Sequence, residues 1–481
     1  MPSLIDAMRD LVGADAVRAP GAAELRDATE AGDIAAHAEA WVMPSATEEV
    51  ARVLAWCNER AVAVTPRGGG SGLAGGAVPL EGGIVLSLER MTAVRALDPP
   101  RWRMCVEAGL TTANVRRLAR ENGLLFPPDP GAAEQSQIGG NIATNAAGAH
   151  AFKYGPTGAW VTGLEAVLAS GEVISLGGAI RKDVAGYDLR GLLVGSEGTL
   201  AVITAAWLRL TPAPEAVLPV VGLFRDHTAG AAALERVLAS GLAVAALEYL
   251  DNRTVALAAH GFPGELPAQG AFMVIAEADG SAAEAQALAD EIVVALEEDA
   301  LGLLAPRGRG EVEALWRWRH GVSLVVRSAL GVKVSEDIVV PFERLGEAVA
   351  ATLQIGERHG LEACSWGHAG DGNLHSTFLL AQGDADALAR ARRPARSSSR
   401  SRSSSAARSV ASTGSAGSSA ASWRASGHRP RSSCTRRSSA SSTRAGSSTR
   451  ARSSRGSERR VALAQGGALA WARGADRDRR L

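Results

Sequence analysis

The sequence predicts an α+β protein of two folded domains followed by a low-complexity tail, and three observations carry that prediction. Short apolar, strand-like runs alternate with amphipathic helical segments from Trp41 to about residue 390. Pro212 and Pro214 punctuate the alternation near its middle. Beyond Arg390 it dissolves, with 22 Arg and 25 Ser among the last 92 residues. The divisions that follow are a helical segment at 1–35, a first domain at 36–214, a second at 215–390 and an Arg/Ser tail at 391–481. The tail holds too few apolar residues to offset the entropy of ordering it, so it is expected to be disordered.

The 481 residues carry 51 basic and 51 acidic side chains, but the neutrality is a sum of unlike parts. The 22 arginines from Arg390 onward meet only three acids, which leaves 29 basic against 48 acidic residues elsewhere. No apolar run of about 18 residues is present, and MPSLIDAMRD has no basic start followed by an apolar stretch. A cytoplasmic protein without an integral membrane segment is the expectation. Cys57, Cys105, Cys364 and Cys434 are far apart and form no CxxC pair, so buried thiols are expected rather than disulfides or a thiolate metal site.

The elements follow in order. Ser45 or Thr47 is placed to cap a helix through TEEVARVLAWCNER, and AVAVTP reads as the strand after it. That strand runs into Arg67, Gly68, Gly69, Gly70, Ser71 and Gly72, with Gly75 and Gly76 just beyond. GGIVLSLERM is strand-like, and TTANVRRLARE is helical with Gly123 set to stop it. In the second domain VLPVVGLF, AFMVIAEAD and EDIVVP read as strands, and AAALERVLASG and SAAEAQALADEIVVALEE as helices.

A loop with six glycines in ten residues lets backbone N–H groups approach an anion closely, and Arg67 adds charge, which suits a pyrophosphate. It is neither a Walker loop nor a GxGxxG that opens a helix. Five further signatures follow in register: Pro127 to Gly131, Gln137 to Asn145, Lys153 to Gly155, Gly186 to Leu189 and Gly195 to Leu200. Together they resemble the FAD-binding domain of the vanillyl-alcohol oxidase and p-cresol methylhydroxylase type, over about Trp41 to Pro214. The resemblance implies non-covalent FAD, since no His or Cys lies in the 67–76 loop. It implies that residues 67–72, Gly75 and Gly76 hold the pyrophosphate. Pro128, Asp129, Pro130, Gly131, Ile138, Gly139, Gly140, Asn141, Thr144 and Asn145 would line the dinucleotide and flavin. Glu197, Gly198, Thr199, Leu200 and Val202 would reach the ribityl and adenine side. Ala147 and Ala201 stand where relatives have Gly, and a positive φ there would weaken cofactor binding by about a kcal/mol.

In GHAGDGNLH, His368 and His375 are seven apart, a spacing that faces them opposite ways in one strand, but the Gly-Asp-Gly turn lets them converge. The motif resembles the C-terminal domain of FAD-linked 2-hydroxy acid dehydrogenases, such as the D-lactate, glycolate and D-2-hydroxyglutarate enzymes. That resemblance implies that both histidines bind a divalent metal, zinc or manganese, which lowers the pKa of the substrate hydroxyl. It places Arg319 and Lys333 on the substrate carboxylate, with Ser323 as a hydroxyl donor. The implied reaction is hydride transfer from C2 of a small 2-hydroxy acid to flavin, giving the 2-oxo acid, with an unidentified electron acceptor and partner subunits of the kind many relatives use.

Relatives take a third metal ligand and a catalytic base from a Gly-Glu-His-Gly motif, which this chain lacks: after His375 its only His is His428 and its only Glu is Glu458. The metal site is therefore expected to be incomplete and turnover impaired, with no residue assigned as the base. The family's next helix, written in GC-rich codons and read one base later, yields Arg-Ser-Ser-Ser-Arg-Ser-Arg-Ser-Ser-Ser-Ala-Ala-Arg, the sequence at 396–408. A shifted reading frame is the expectation. The alternatives are an alcohol or sugar oxidase of the same fold, against which GHAGDGNLH argues, and an inactive flavin-binding or nucleic-acid-binding remnant. No aromatic platform or recognition module accompanies the arginines, which argues against nucleic acid.

Overall fold

A computed structural model describes residues 3–29, 35–268, 270–381 and 408–409. The expected disordered tail at 391–481, apart from two residues, lies outside the described residues, as do His428, Cys434 and Glu458.

The chain opens with α1 (Leu4–Val12), β1 (Val17–Arg18), β2 (Ala40–Val42), α2 (Thr47–Arg60), β3 (Val64–Arg67) and β4 (Ile84–Ser87). The four strands form a sheet in the order β1-β2-β4-β3, with β2, β4 and β3 parallel. Val50, Val53 and Leu54 of α2 bury against Ile84 and Leu86. Neither residue expected to cap α2 does so. Its N-cap is Ala46, Ser45 instead donates both its N–H and its hydroxyl to Glu49, and Thr47 Oγ1 donates to Glu165 at 2.6 Å.

Next come β5 (Val94–Asp98), β6 (Arg103–Glu107), α3 (Thr112–Glu121), β7 (Leu124–Leu125), α4 (Ile138–Thr144), α5 (Ala151–Tyr154), β8 (Val161–Val167), β9 (Val173–Gly177), α6 (Leu189–Leu193), β10 (Val202–Arg209) and β11 (Thr211–Pro212). Strands β5-β6-β10-β8-β9 make an antiparallel sheet, and α3 and α4 bury Val115, Ala119, Ile138 and Ile142 with its Met104, Val106, Leu164 and Leu208.

The remaining elements are β12 (Ala216–Phe224), α7 (His227–Ala239), β13 (Ala246–Leu250), α8 (Asn252–Leu257), β14 (Phe272–Gly280), α9 (Ala282–Glu297), β15 (Gly302–Leu304), α10 (Arg309–Leu330), β16 (Gly331–Val339), α11 (Leu345–His359), β17 (Glu362–His368), β18 (Asn373–Ala381) and β19 (Arg408–Ser409). The strands form one antiparallel sheet ordered β15-β12-β14-β13-β17-β18-β16-β19. Helices cover both faces, which is why its strands read as unbroken apolar runs. Side chains alternate between the two layers. Val274 and Ala276 join α7, α9 and α11 in one core, whereas Met273 and Ile275 join α8 and α10 in the other. By the same alternation Glu248, Glu277 and His368 emerge on the α10 face, and strand pairing brings Lys333, Asp337 and His375 to it as well. Five strands thus deliver ionisable side chains to one surface of one sheet.

Candidate active site

The glycine-rich loop leaves β3 and lies beside α4 and the 195–198 turn. A Cβ on Gly68 would lie 3.5 Å from Gln137 Oε1 and 3.7 Å from Gly140 Cα, and one on Gly76 would lie 3.9 Å from Glu197 Oε2. Gly69 admits no side chain, because its Cβ would sit 1.9 Å from the Gln135 carbonyl, whose own amide donates to Gly69 O at 2.8 Å. Gly72, Gly131 and Gly140 border open space, with nothing closer than 4.0 Å to a Cβ on any of them. Gln137 Oε1 is buried without a hydrogen-bond partner. An orphaned buried acceptor beside open, Cβ-less backbone fits a cofactor rich in donors and phosphate, so the residues present fit FAD.

Several sequence-predicted residues behave differently from expectation. Arg67 turns back beneath the loop, donating to Ala77 O at 3.1 Å and Arg26 O at 2.8 Å, so it braces the turn instead of extending its charge outward. Asp129 is 3% exposed and directs its carboxylate to the ring and backbone N–H of His150. Asn141 donates to Thr112 Oγ1, and Asn145 accepts from the Gly158 N–H at 2.8 Å. The positive φ values fall at Asn145 (51°) and Glu197 (53°), not at Ala147 or Ala201. The strain expected at those two alanines is therefore absent. Pro128, Ile138, Gly139 and Val202 are buried, and Thr144, Thr199 and Leu200 are exposed at the margin.

GHAGDGNLH forms the β17–β18 hairpin, with Ala369 to Gly372 as its turn. The reversal does what the spacing alone would not: the His368 and His375 rings stand perpendicular with centroids 5.4 Å apart. Each imidazole faces a carboxylate directly across the sheet. Glu248 Oε1 accepts from His368 Nδ1 at 2.6 Å, and Asp337 Oδ1 accepts from His375 Nδ1. A carboxylate only accepts, so the Nδ1 atoms hold protons and Nε2 is the nitrogen that could ligate, the arrangement that supports a metal-bound histidine elsewhere. This donor chemistry fits two ligands of a divalent metal. Among the described residues no group of three or more His, Cys, Asp or Glu is placed to hold an ion, so the expected metal site is not found among them.

Arg319, on α10, is 6% exposed, and its Nη2 lies 2.5 Å from Glu248 Oε2. Burial alone would raise the Glu248 carboxyl, but Arg319 and His368 outweigh it and hold the group at about 2. Arg319 Nε and Nη2 and Glu248 Oε2 are all buried without a hydrogen-bond partner, so the last two meet as an ion pair only. Lys333 Nζ donates to Ser323 Oγ at 2.8 Å and lies 5.2 Å from the Trp366 ring centre. Ser323 is exposed although its hydroxyl accepts from Lys333.

Sequence reasoning missed Glu248, Asp337, Glu277 and His150. His150 is clamped between Asp129 and Glu277 Oε1, the latter at 2.7 Å, and Trp316 donates to Glu277 from α10. Beside it Lys153 and Tyr154 both bond Asp279 of β14. An acid inside an otherwise apolar strand is the one signal the sequence offered for Glu248, Glu277 and Asp279.

Comparison with known proteins identifies the two domains. Residues 38–177 match the FAD binding domain family and residues 213–397 the family of FAD linked oxidases, C-terminal domain. The glycolate oxidase subunit GlcD of Bacillus subtilis is 34% identical over 356 residues, covering 74% of this chain and 76% of the relative. A D-lactate dehydrogenase of Archaeoglobus fulgidus is 37% identical over 71% of this chain and 75% of its own. A D-2-hydroxyglutarate dehydrogenase of Xanthomonas citri is 33% identical over 76% and 80%. In fold alone, p-cresol methylhydroxylase with substrate bound superposes with a TM-score of 0.67 at 18% identity, covering 81% of this chain and 84% of that one. The chain is an FAD-dependent oxidoreductase and belongs to the family of FAD-linked oxidases.

Proposed function

We propose that the chain oxidises a small 2-hydroxy acid to the 2-oxo acid at the α10 face of the large sheet. The observation that carries this reading is the buried Arg319 guanidinium: its Nη2 forms an ion pair with Glu248, yet neither Nε nor Nη2 has a hydrogen-bond partner. A buried donor of that kind is satisfied by an incoming acceptor, and a planar guanidinium matches a carboxylate. Lys333, held by Ser323, adds a second positive charge on the same sheet face. His368 and His375 would present Nε2 atoms to the hydroxyl side of the substrate, or to a divalent metal that polarises it. Bound FAD supplies the hydride acceptor. The loop at 67–76, the 128–131 and 138–145 segments and the 197–202 segment would hold it, with Gln137 offering its unpaired carbonyl.

No described residue is assigned as the proton acceptor. Among the described residues no helix is long and apolar enough to cross a membrane. The experiment is an absorbance spectrum of the purified protein before and after anaerobic glycolate, D-lactate or D-2-hydroxyglutarate, with zinc or manganese added. Bleaching of a flavin spectrum by one of the three is the expected result. A flavin spectrum that none of them perturbs or bleaches would overturn the substrate reading.

A further inference from the structure

We infer that Glu248 is a positioning residue that couples the substrate-carboxylate arm of the site to its imidazole arm, an inference that rests on the reading of Arg319 and His368 above. Glu248 lies on β13 directly opposite His368 on β17, and it is 0% exposed. Its two oxygens serve different partners: Oε1 takes the His368 Nδ1 proton at 2.6 Å, and Oε2 meets Arg319 Nη2 at 2.5 Å. The imidazole belongs to a hairpin and the guanidinium to a helix 49 residues earlier in the chain, so the carboxylate is the atom group through which one senses the other.

The physical consequence follows from burial. A carboxylate with no solvent access cannot turn away from Arg319 to hydrate itself, so it holds the Arg319 charge by an ion pair and the ring direction of His368 by a hydrogen bond together. A displacement of either partner changes the site of the other. Asp337 stands in the same cross-strand relation to His375, which provides a control that supports an imidazole from a different strand.

The test uses the FAD-loaded protein and two binding measurements that need no turnover. Oxalate, a small carboxylate ligand, is titrated against the flavin absorption spectrum, and zinc is titrated in competition with a chromophoric chelator. E248Q is expected to weaken both, each by about 10- to 100-fold, the range for loss of a supporting partner. D337N is expected to weaken zinc alone and leave the oxalate dissociation constant within about twofold. If E248Q does not accumulate as a folded flavoprotein, R319K is measured instead. Coupling requires R319K to weaken zinc as well as oxalate, although Arg319 donates nothing to a metal. A wild-type protein that binds both ligands while E248Q or R319K leaves zinc binding unchanged overturns the coupling. A wild-type protein that binds neither overturns the underlying reading of Arg319 and the histidines, and the coupling with it.

Discussion

His150 Nε2 lies 2.7 Å from Glu277 Oε1, joining residues 127 apart in the chain. The other ring nitrogen is bonded to Asp129, so one imidazole is held by carboxylates from the segment before α4 and from β14. Burial would lower its pKa, but Asp129 and Glu277 outweigh burial and hold it well above 6.5. With a carboxylate on each nitrogen, both nitrogens carry protons and the group is an imidazolium.

That clamp predicts a loss of stability toward alkaline pH. The folded pKa exceeds the unfolded one, so the contribution is complete below about 6.5 and disappears as pH rises through the folded value. Thermal melts from about pH 6 to about pH 10 should show it. H150Q should cost about 3–5 kcal/mol near neutral pH, because it leaves buried carboxylates without their cation. A variant whose melting curve tracks wild type throughout that range counts against the clamp.

Glu248 predicts the opposite trend in acid. Its carboxyl lies at about 2, below its ordinary 4.5, so its contribution is present above 4.5 and is lost as pH falls toward 2. Acid unfolding followed by circular dichroism should begin at higher pH in E248A than in wild type. Coincident acid transitions would show that the Arg319 and His368 pairings stabilise nothing.

Two glycines separate folding from cofactor binding. G69A drives a Cβ against the Gln135 carbonyl and should destabilise the apoprotein by about 1–3 kcal/mol. G140A places its methyl in open space on α4, where Ala in place of Gly should add about 0.5–1 kcal/mol. Differential scanning of apoprotein reads both. FAD titration by fluorescence should show weaker binding for G140A despite its greater stability, and unchanged affinity would remove the α4 surface from the cofactor site.

R319K keeps the charge but loses the planar fork. The dissociation constant of the 2-hydroxy acid, read from flavin spectral perturbation, should rise about 10- to 100-fold, the worth of a charge-assisted hydrogen bond. An unaltered constant would place the substrate carboxylate elsewhere.

The gene offers a further check on the residues after Arg390. Resequencing should reveal an alternative frame that encodes Gly-Glu-His-Gly, and the chain so restored should reduce its flavin at least about 10²-fold faster in a rapid-mixing experiment, the worth of a general base. A locus with no such frame would refute this.

The sequence by itself determined the two kinds of fold and the place of the glycine-rich backbone, because those depend on local properties. Strand and helix periodicity marked β12, β14, α7 and α9, and the glycines of 67–76 and 137–145 announced backbone that something approaches closely. The His368 and His375 pair was legible for the same reason, since its Gly-Asp-Gly turn is local. Only the tertiary structure decided what those side chains face. Glu248 and His368 are 120 residues apart and meet because β13 and β17 are neighbours in a sheet whose strand order departs from chain order. The Arg67 guanidinium offered no local sign that it would turn inward to backbone carbonyls, and the acids at 277 and 279 read as scattered charges until burial forced each to a partner. Periodicity is set by neighbours along the chain, whereas the partner of a buried charge is set by whichever distant strand or helix the fold brings within hydrogen-bond reach.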